Sequence, residues 1–130
     1  MTQNEKDLLL KDLCARLPYG VIIQEKCVEQ DKTFLPNKEG DRLVNIDAHA
    51  DLLMTNCGSW YYLDEIKPYL LPISSMTEEQ IKEFNSITQK CSTYIGKSIL
   101  LTDFCNKHHI DWRGLIPTDL AIDATGKNIY

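Results

Sequence analysis

The side chains able to do chemistry fall in two short stretches. In Ile46-Asp47-Ala48-His49-Ala50-Asp51, two carboxylates and a histidine occupy alternate positions. On a strand that spacing places Asp47, His49 and Asp51 on one face, where hard oxygens and an imidazole can converge on a divalent cation. In His108-His109-Ile110-Asp111-Trp112-Arg113, histidine near a carboxylate offers an acid–base pair, and tryptophan beside arginine offers a stacking or anion-recognising surface. Each stretch also has a plainer reading. Polar side chains in a row on a strand face are ordinarily solvated, and that is the reading taken for the first stretch, with Asp47, His49 and Asp51 as the metal-ligand alternative. In the second, His108 continues an apolar helical stripe, while His109 and Asp111 serve a helix C-terminus as caps and dipole partners. Trp112 anchors the turn and Arg113 pairs with a carboxylate. His109, Asp111, Trp112 and Arg113, together with Tyr69, are the candidate residues of a binding surface.

The segment Asp47-Ala48-His49-Ala50-Asp51 resembles one metal-ligand motif of the ureohydrolase family (arginase and agmatinase), whose Asp and His side chains bind paired manganese ions. The resemblance stops at these residues. The family's G-G-D-H segment and its later D-x-D segment are absent, and the chain is far shorter than such an enzyme. Gly96-Lys97-Ser98 has the ending of a phosphate-binding P-loop, but Cys91 stands where the loop needs a glycine and no hydrophobic strand leads in. Nucleotide hydrolysis is excluded on that ground. No G-x-S-x-G segment marks a serine nucleophile. Cys14, Cys27, Cys57, Cys91 and Cys105 are odd in number and widely spaced, with no C-x-x-C pair, so they read as buried or half-buried thiols in a reducing compartment. Cys14 and Cys105 are expected on buried helical faces, where a thiolate is destabilised. No motif calls for a cofactor.

These residues need elements to position them. A first helix is expected over residues 4–17, capped by Asn4, with Leu9, Leu10, Leu13, Cys14 and Leu17 as its apolar stripe and Pro18 as its stop. Val21, Ile22 and Ile23 suit a strand, and residues 25–40 read as a strand end plus an irregular loop. Val44, Ile46, Ala48 and Ala50 then alternate with polar residues, predicting a strand with those side chains in the core and a continuation through Leu52, Leu53 and Met54. Trp60 to Leu63 makes a third strand. Lys67-Pro68-Tyr69-Leu70-Leu71-Pro72 must be extended, and its prolines place it at a sheet edge or across the surface of the core.

Thr77-Glu78-Glu79-Gln80 is a capping box that opens a helix with Ile81, Phe84 and Ile87 or Thr88 on its buried face. After a connector over residues 91–96, a further helix runs from Ser98 to His109 on a stripe of Leu100, Leu101, Phe104, Cys105 and His108. Leu115 to Pro117 and Leu120 to Ile122 are short extended pieces. Strands grouped between the first helix and the last two predict an α+β fold, a small mainly antiparallel sheet packed against about three helices, in one domain over residues 1–130.

The composition narrows the function classes. A chain of 130 residues, 43% hydrophobic and 25% charged, buries a core of its own without metal or disulfide. With 19 acidic against 14 basic side chains, its net charge of −5 repels phosphate backbones, which argues against nucleic acid and anionic membranes as partners. The amino-terminal MTQNEKDLLLKDL is interrupted by charge every few residues and no stretch reaches membrane-span length, so cytoplasmic residence is expected.

Three segments resemble a known group. They are Asp7 to Val21, the run Lys67-Pro68-Tyr69-Leu70-Leu71-Pro72-Ile73-Ser74-Ser75-Met76-Thr77-Glu78-Glu79, and His108-His109-Ile110-Asp111-Trp112-Arg113-Gly114-Leu115-Ile116. Together they resemble small uncharacterised proteins of gut bacterial genomes and their phages or mobile elements. The resemblance covers both ends and the middle, but not residues 24–58. It implies a phage-associated or accessory role and carries no catalytic residue with it. The sequence therefore reads as a small cytoplasmic binding module acting through protein contacts, with a protein partner or with itself, on an exposed apolar or aromatic patch involving Tyr69, Trp112 and Arg113. The alternative is a metal- or histidine-dependent enzyme on a small or nucleic-acid substrate. It requires His49 or His109 to meet carboxylates in a cleft.

Overall fold

The computed structural model describes residues 1–28 and 36–130, so part of the expected loop over residues 25–40 lies outside the described residues. The first helix, α1, spans Gln3–Arg16. Its cap is Thr2 and not Asn4: the Thr2 hydroxyl accepts from Glu5 N–H at 3.2 Å, and the Glu5 carboxylate accepts from Thr2 N–H at 2.7 Å. Thr2 wins because a glutamate three residues on can reach back to close the box, which the shorter Asp7 does not do for Asn4. The buried stripe differs too. Leu9 and Leu13 are buried as expected, but the positions between and beyond them are Asp12 and Arg16, while Cys14 is exposed. An aspartate and an arginine four residues apart face the core as a pair, which rotates the stripe away from Cys14.

The strands form two sheets where one was expected, each of three strands. One joins β1 (Ile23–Glu25), β5 (Ile66–Leu70) and β6 (Ile122–Asp123), in the order β1-β5-β6. The other joins β2 (Leu43–Asp47), β3 (Leu52–Thr55) and β4 (Trp60–Tyr62) in sequence order, all antiparallel. The β2 alternation does not run on to Ala50. Residues 48–51 turn, and Leu52–Thr55 returns against β2. Asp47 Oδ1 accepts from His49 N–H at 3.1 Å and Ala50 N–H at 3.2 Å, the side-chain turn that aspartate favours. A register irregularity between Leu43 and Asn45 also shifts the phase, so that Leu43 is buried and Val44 is exposed.

β5 is the middle strand of its sheet and is buried along its whole length, which corrects its expected place at an edge. Pro68 pairs across β1 with Ile23, and β6 joins only at Tyr69 and Leu70. The proline therefore precedes the residues where a second neighbour asks for hydrogen bonds.

Thr77 caps α2 (Glu78–Lys90) through the expected box, with Gln80 N–H on the threonine hydroxyl at 3.2 Å. The next helix, α3, spans Tyr94–Lys107 and starts earlier than expected, because the Thr93 hydroxyl accepts from Gly96 N–H at 3.1 Å. Gly96-Lys97-Ser98 thus lies inside a helix. Three helices and two mostly antiparallel sheets make the fold α+β. The largest core cluster brings Leu9 and Leu13 of α1 against Ile23, Leu43, Leu53, Ile66 and Leu70, while α2 and α3 close a separate one around Phe104, Cys105 and Ile110.

Candidate functional site

α3 ends where the densest candidate cluster begins. Ile110 N–H bonds to Cys105 C=O at 2.8 Å and His109 N–H to Asn106 C=O at 3.3 Å, the paired bonds of a Schellman motif. That motif needs a left-handed residue, ordinarily glycine, and here it is His109, with φ of 59°. A histidine in this conformation costs about 1–2 kcal/mol, so its surroundings must hold it. They do. Leu71 N–H donates to His109 C=O at 2.8 Å, and Asp111 N–H donates to Leu71 C=O at 2.8 Å, which stitches the residues after α3 onto the end of β5. The imidazole stacks on the Tyr130 ring, with centroids 3.7 Å apart. Burial, then the Arg16 guanidinium, then His108 lower the His109 pKa to about 4, so the ring is neutral at physiological pH. Its Nδ1 has no hydrogen-bond partner.

Tyr130 is itself pinned. Its hydroxyl donates to Tyr69 C=O at 2.7 Å and accepts from Ile22 N–H at 2.9 Å, at the end of the β1–β5 ladder. Burial is the main reason its pKa is raised. Tyr69, expected on the surface, is 2% exposed and belongs to the core with Ile22 and Ile129. His109 and Asp111 are buried as well. Each was expected on a surface because a polar or aromatic side chain near a turn is usually solvated. Tyr69 is instead buried as part of β5, and His109 and Asp111 are drawn in by backbone bonds to Leu71 just beyond it.

Behind His109 lies an ionic cluster that sequence reasoning missed. Arg16 Nε donates to Asp12 Oδ2 at 2.7 Å, and its Nη2 donates to Asp12 Oδ1 at 3.1 Å and to Ile110 C=O at 2.7 Å. Its Nη1 reaches Cys105 C=O at 3.4 Å, so a guanidinium on α1 serves the carbonyls at the C-terminal end of α3, where positive charge is favoured. Both side chains are fully buried. Arg113 adds a second cation: its Nε lies 3.3 Å from Asp12 Oδ1, without hydrogen-bond alignment, and its guanidinium sits 4.1 Å over the Trp112 ring. Trp112 Nε1 donates to Asn106 Oδ1 at 3.0 Å. Asp111 accepts from Leu115 and Ile116 N–H, both at 2.8 Å, and so caps the turn after it and not α3. The signal available in the sequence was Asp12 and Arg16 four apart on the face already occupied by Leu9 and Leu13.

His109 also lines a cleft of about 540 Å³ between the Tyr19-Gly20 turn, the start of α2 and the end of α3. Lys38, Arg42, Lys107 and His108 line it too, and among the described residues no aspartate or glutamate side chain does. Gly20 holds a left-handed φ of 68°, which favours glycine, and a Cβ on it would stand 2.6 Å from Cδ of the Arg42 side chain. His108 Nε2 is 3.5 Å from a Glu83 carboxylate oxygen.

The first stretch fares differently. Asp47 and His49 stand exposed around the β2–β3 turn and Asp51 takes a φ of 52°, so the expected shared strand face does not form. Among the described residues, no group of three or more His, Cys, Asp and Glu side chains is placed to hold a metal ion.

A second feature is apolar. α3 leaves Tyr94, Ile95, Ile99 and Leu100 exposed, and beside it Ile73, Met76, Phe84, Leu101 and Trp112 help line an open groove of about 210 Å³. No protein family, curated protein or solved structure matches the chain. Among the described residues, no helix is long and apolar enough to cross a membrane.

Proposed function

We propose that this protein is a small cytoplasmic binding module that acts through protein contacts, first of all with a second copy of itself across the outward side of α3. One observation carries the reading. Ile95 is 72% exposed and Ile99 56% exposed, on the side of the helix turned away from buried Phe104. A helix with apolar side chains on both sides is ordinarily covered on both. α2 and α3 form a helical hairpin, and an apolar outer face on such a hairpin is self-complementary under two-fold symmetry. The resemblance of the Lys67–Glu79 and His108–Ile116 segments supports an accessory role in a phage or mobile-element setting.

An enzyme is the weaker reading. Among the described residues, His109 meets no aspartate or glutamate in its cleft, and Asp47, His49 and Asp51 are spread around a turn. Light scattering on the purified protein tests the contact. The proposal expects a mass approaching twice the 14.9 kDa of one chain as concentration rises through roughly the micromolar range. A mass of one chain throughout contradicts it.

A further inference from the structure

The cleft beside His109 has a composition at odds with the rest of the chain. The protein carries 19 acidic and 14 basic side chains, yet among the described residues this wall gathers Lys38, Arg42 and Lys107 with no acidic side chain lining it. Three cations brought together without carboxylates repel one another, an arrangement relieved by an anion. Among the described residues their only ion pair is the loose contact of Arg42 with Glu39, at 3.9 Å, and that glutamate is 80% exposed. The cleft floor adds unused hydrogen-bonding capacity. His109 is 8% exposed and its Nδ1 has no hydrogen-bond partner, whereas His108 Nε2 faces the Glu83 carboxylate at 3.5 Å without an aligned hydrogen bond. The Thr77 side chain also lines the cleft, at the start of α2.

We propose that this cleft is a binding site for a small phosphorylated molecule, its phosphate held by Arg42, Lys38 and Lys107 and its body lying towards His109 and Tyr130. The volume of about 540 Å³ fits a ligand larger than inorganic phosphate and within the range of small-molecule sites. Arginine and lysine have separate tasks. The planar Arg42 guanidinium pairs two phosphate oxygens at once, and the lysines supply point charge. Gly20 lets the Arg42 stem lie close against the backbone beside the cleft. The site is independent of the α3 contact surface proposed above.

The test is calorimetric titration of the whole chain with inorganic pyrophosphate, with sulfate and spermidine as controls. Saturable one-to-one binding of pyrophosphate is expected, stronger than sulfate and absent with spermidine. Lys107→Gln and Arg42→Gln should each weaken it about tenfold, a loss of about 1.4 kcal/mol, with the thermal midpoint of the free protein unchanged. Lys107 is exposed at the last turn of α3, so its variant reads binding without a folding defect. Amide shifts confined to residues around His108, His109 and Gly20 on adding pyrophosphate would place the ligand. No heat of binding with pyrophosphate at millimolar concentration, or equal binding in both variants, would overturn the proposal.

Discussion

The two ends of α3 obey different rules. At its C-terminal end the backbone is held: Arg16 reaches the last carbonyls, His109 completes the Schellman turn, Trp112 bonds Asn106, and Leu71 ties the exit to β5. In its N-terminal half Tyr94 is 85% exposed, and Ile95, Ile99 and Leu100 stand largely in solvent and outside the core clusters. The residues that looked chemical sit at the first end and are mostly occupied in holding the fold. The apolar side chains at the second end, of which only Leu100 was expected on a buried stripe, stand exposed. Side-chain type alone therefore does not tell the two ends apart; what separates them is whether the chain's own backbone has claimed each group.

Breaking the held end should have the largest effect. Arg16→Met removes the guanidinium between Asp12 and the α3 carbonyls and leaves a fully buried carboxylate facing only Arg113. Breaking a buried pair in this way costs about 3–5 kcal/mol, read as a lower urea midpoint. The next largest effect is a pH dependence. With a pKa lowered from 6.5 to about 4 by burial, His109 binds its proton more weakly in the folded state than in the unfolded one. Its contribution is complete above pH 6.5 and is lost as pH falls towards 4, where the unfolded chain takes up the proton first. The loss amounts to about 3 kcal/mol at most. His109→Asn, which tolerates the left-handed backbone, should flatten that part of the profile in denaturation measured across this range. An unchanged slope would mean the ring is solvated.

Tyr130→Phe is a smaller change at the same end. It deletes a hydroxyl that serves both Ile22 N–H and Tyr69 C=O, and it leaves the His109 stacking in place. A loss of about 1–3 kcal/mol is expected, with faster amide exchange at Ile22.

The sequence showed what local chemistry decides. The Thr77 capping box, the stop at Pro18 and the α+β arrangement all follow from neighbours a few residues apart. What it concealed was decided across the chain. The apolar stripe expected for the first helix left out Asp12 and Arg16, which are buried because the end of α3 presents carbonyls to Arg16. Pro68 argued for an edge until a middle strand with a short second neighbour accommodated it. Asp47-Ala48-His49-Ala50-Asp51 alternates like a strand, yet Asp47 closes a turn with its own side chain, a local signal that the alternation masked. His109 takes the position where glycine was the visible cue, and the glycine the sequence offered, Gly114, lies beyond it.

The free end gives the most direct test. Ile95→Glu combined with Ile99→Glu places charge on the outer side of α3 without touching Phe104 or Cys105. A surface role predicts a thermal midpoint near the parent's, within about 0.5 kcal/mol per substitution, together with a fall in light-scattering mass from dimer to the 14.9 kDa chain. A large loss of stability, or a mass that does not change, would contradict the claim that α3 carries the contact surface.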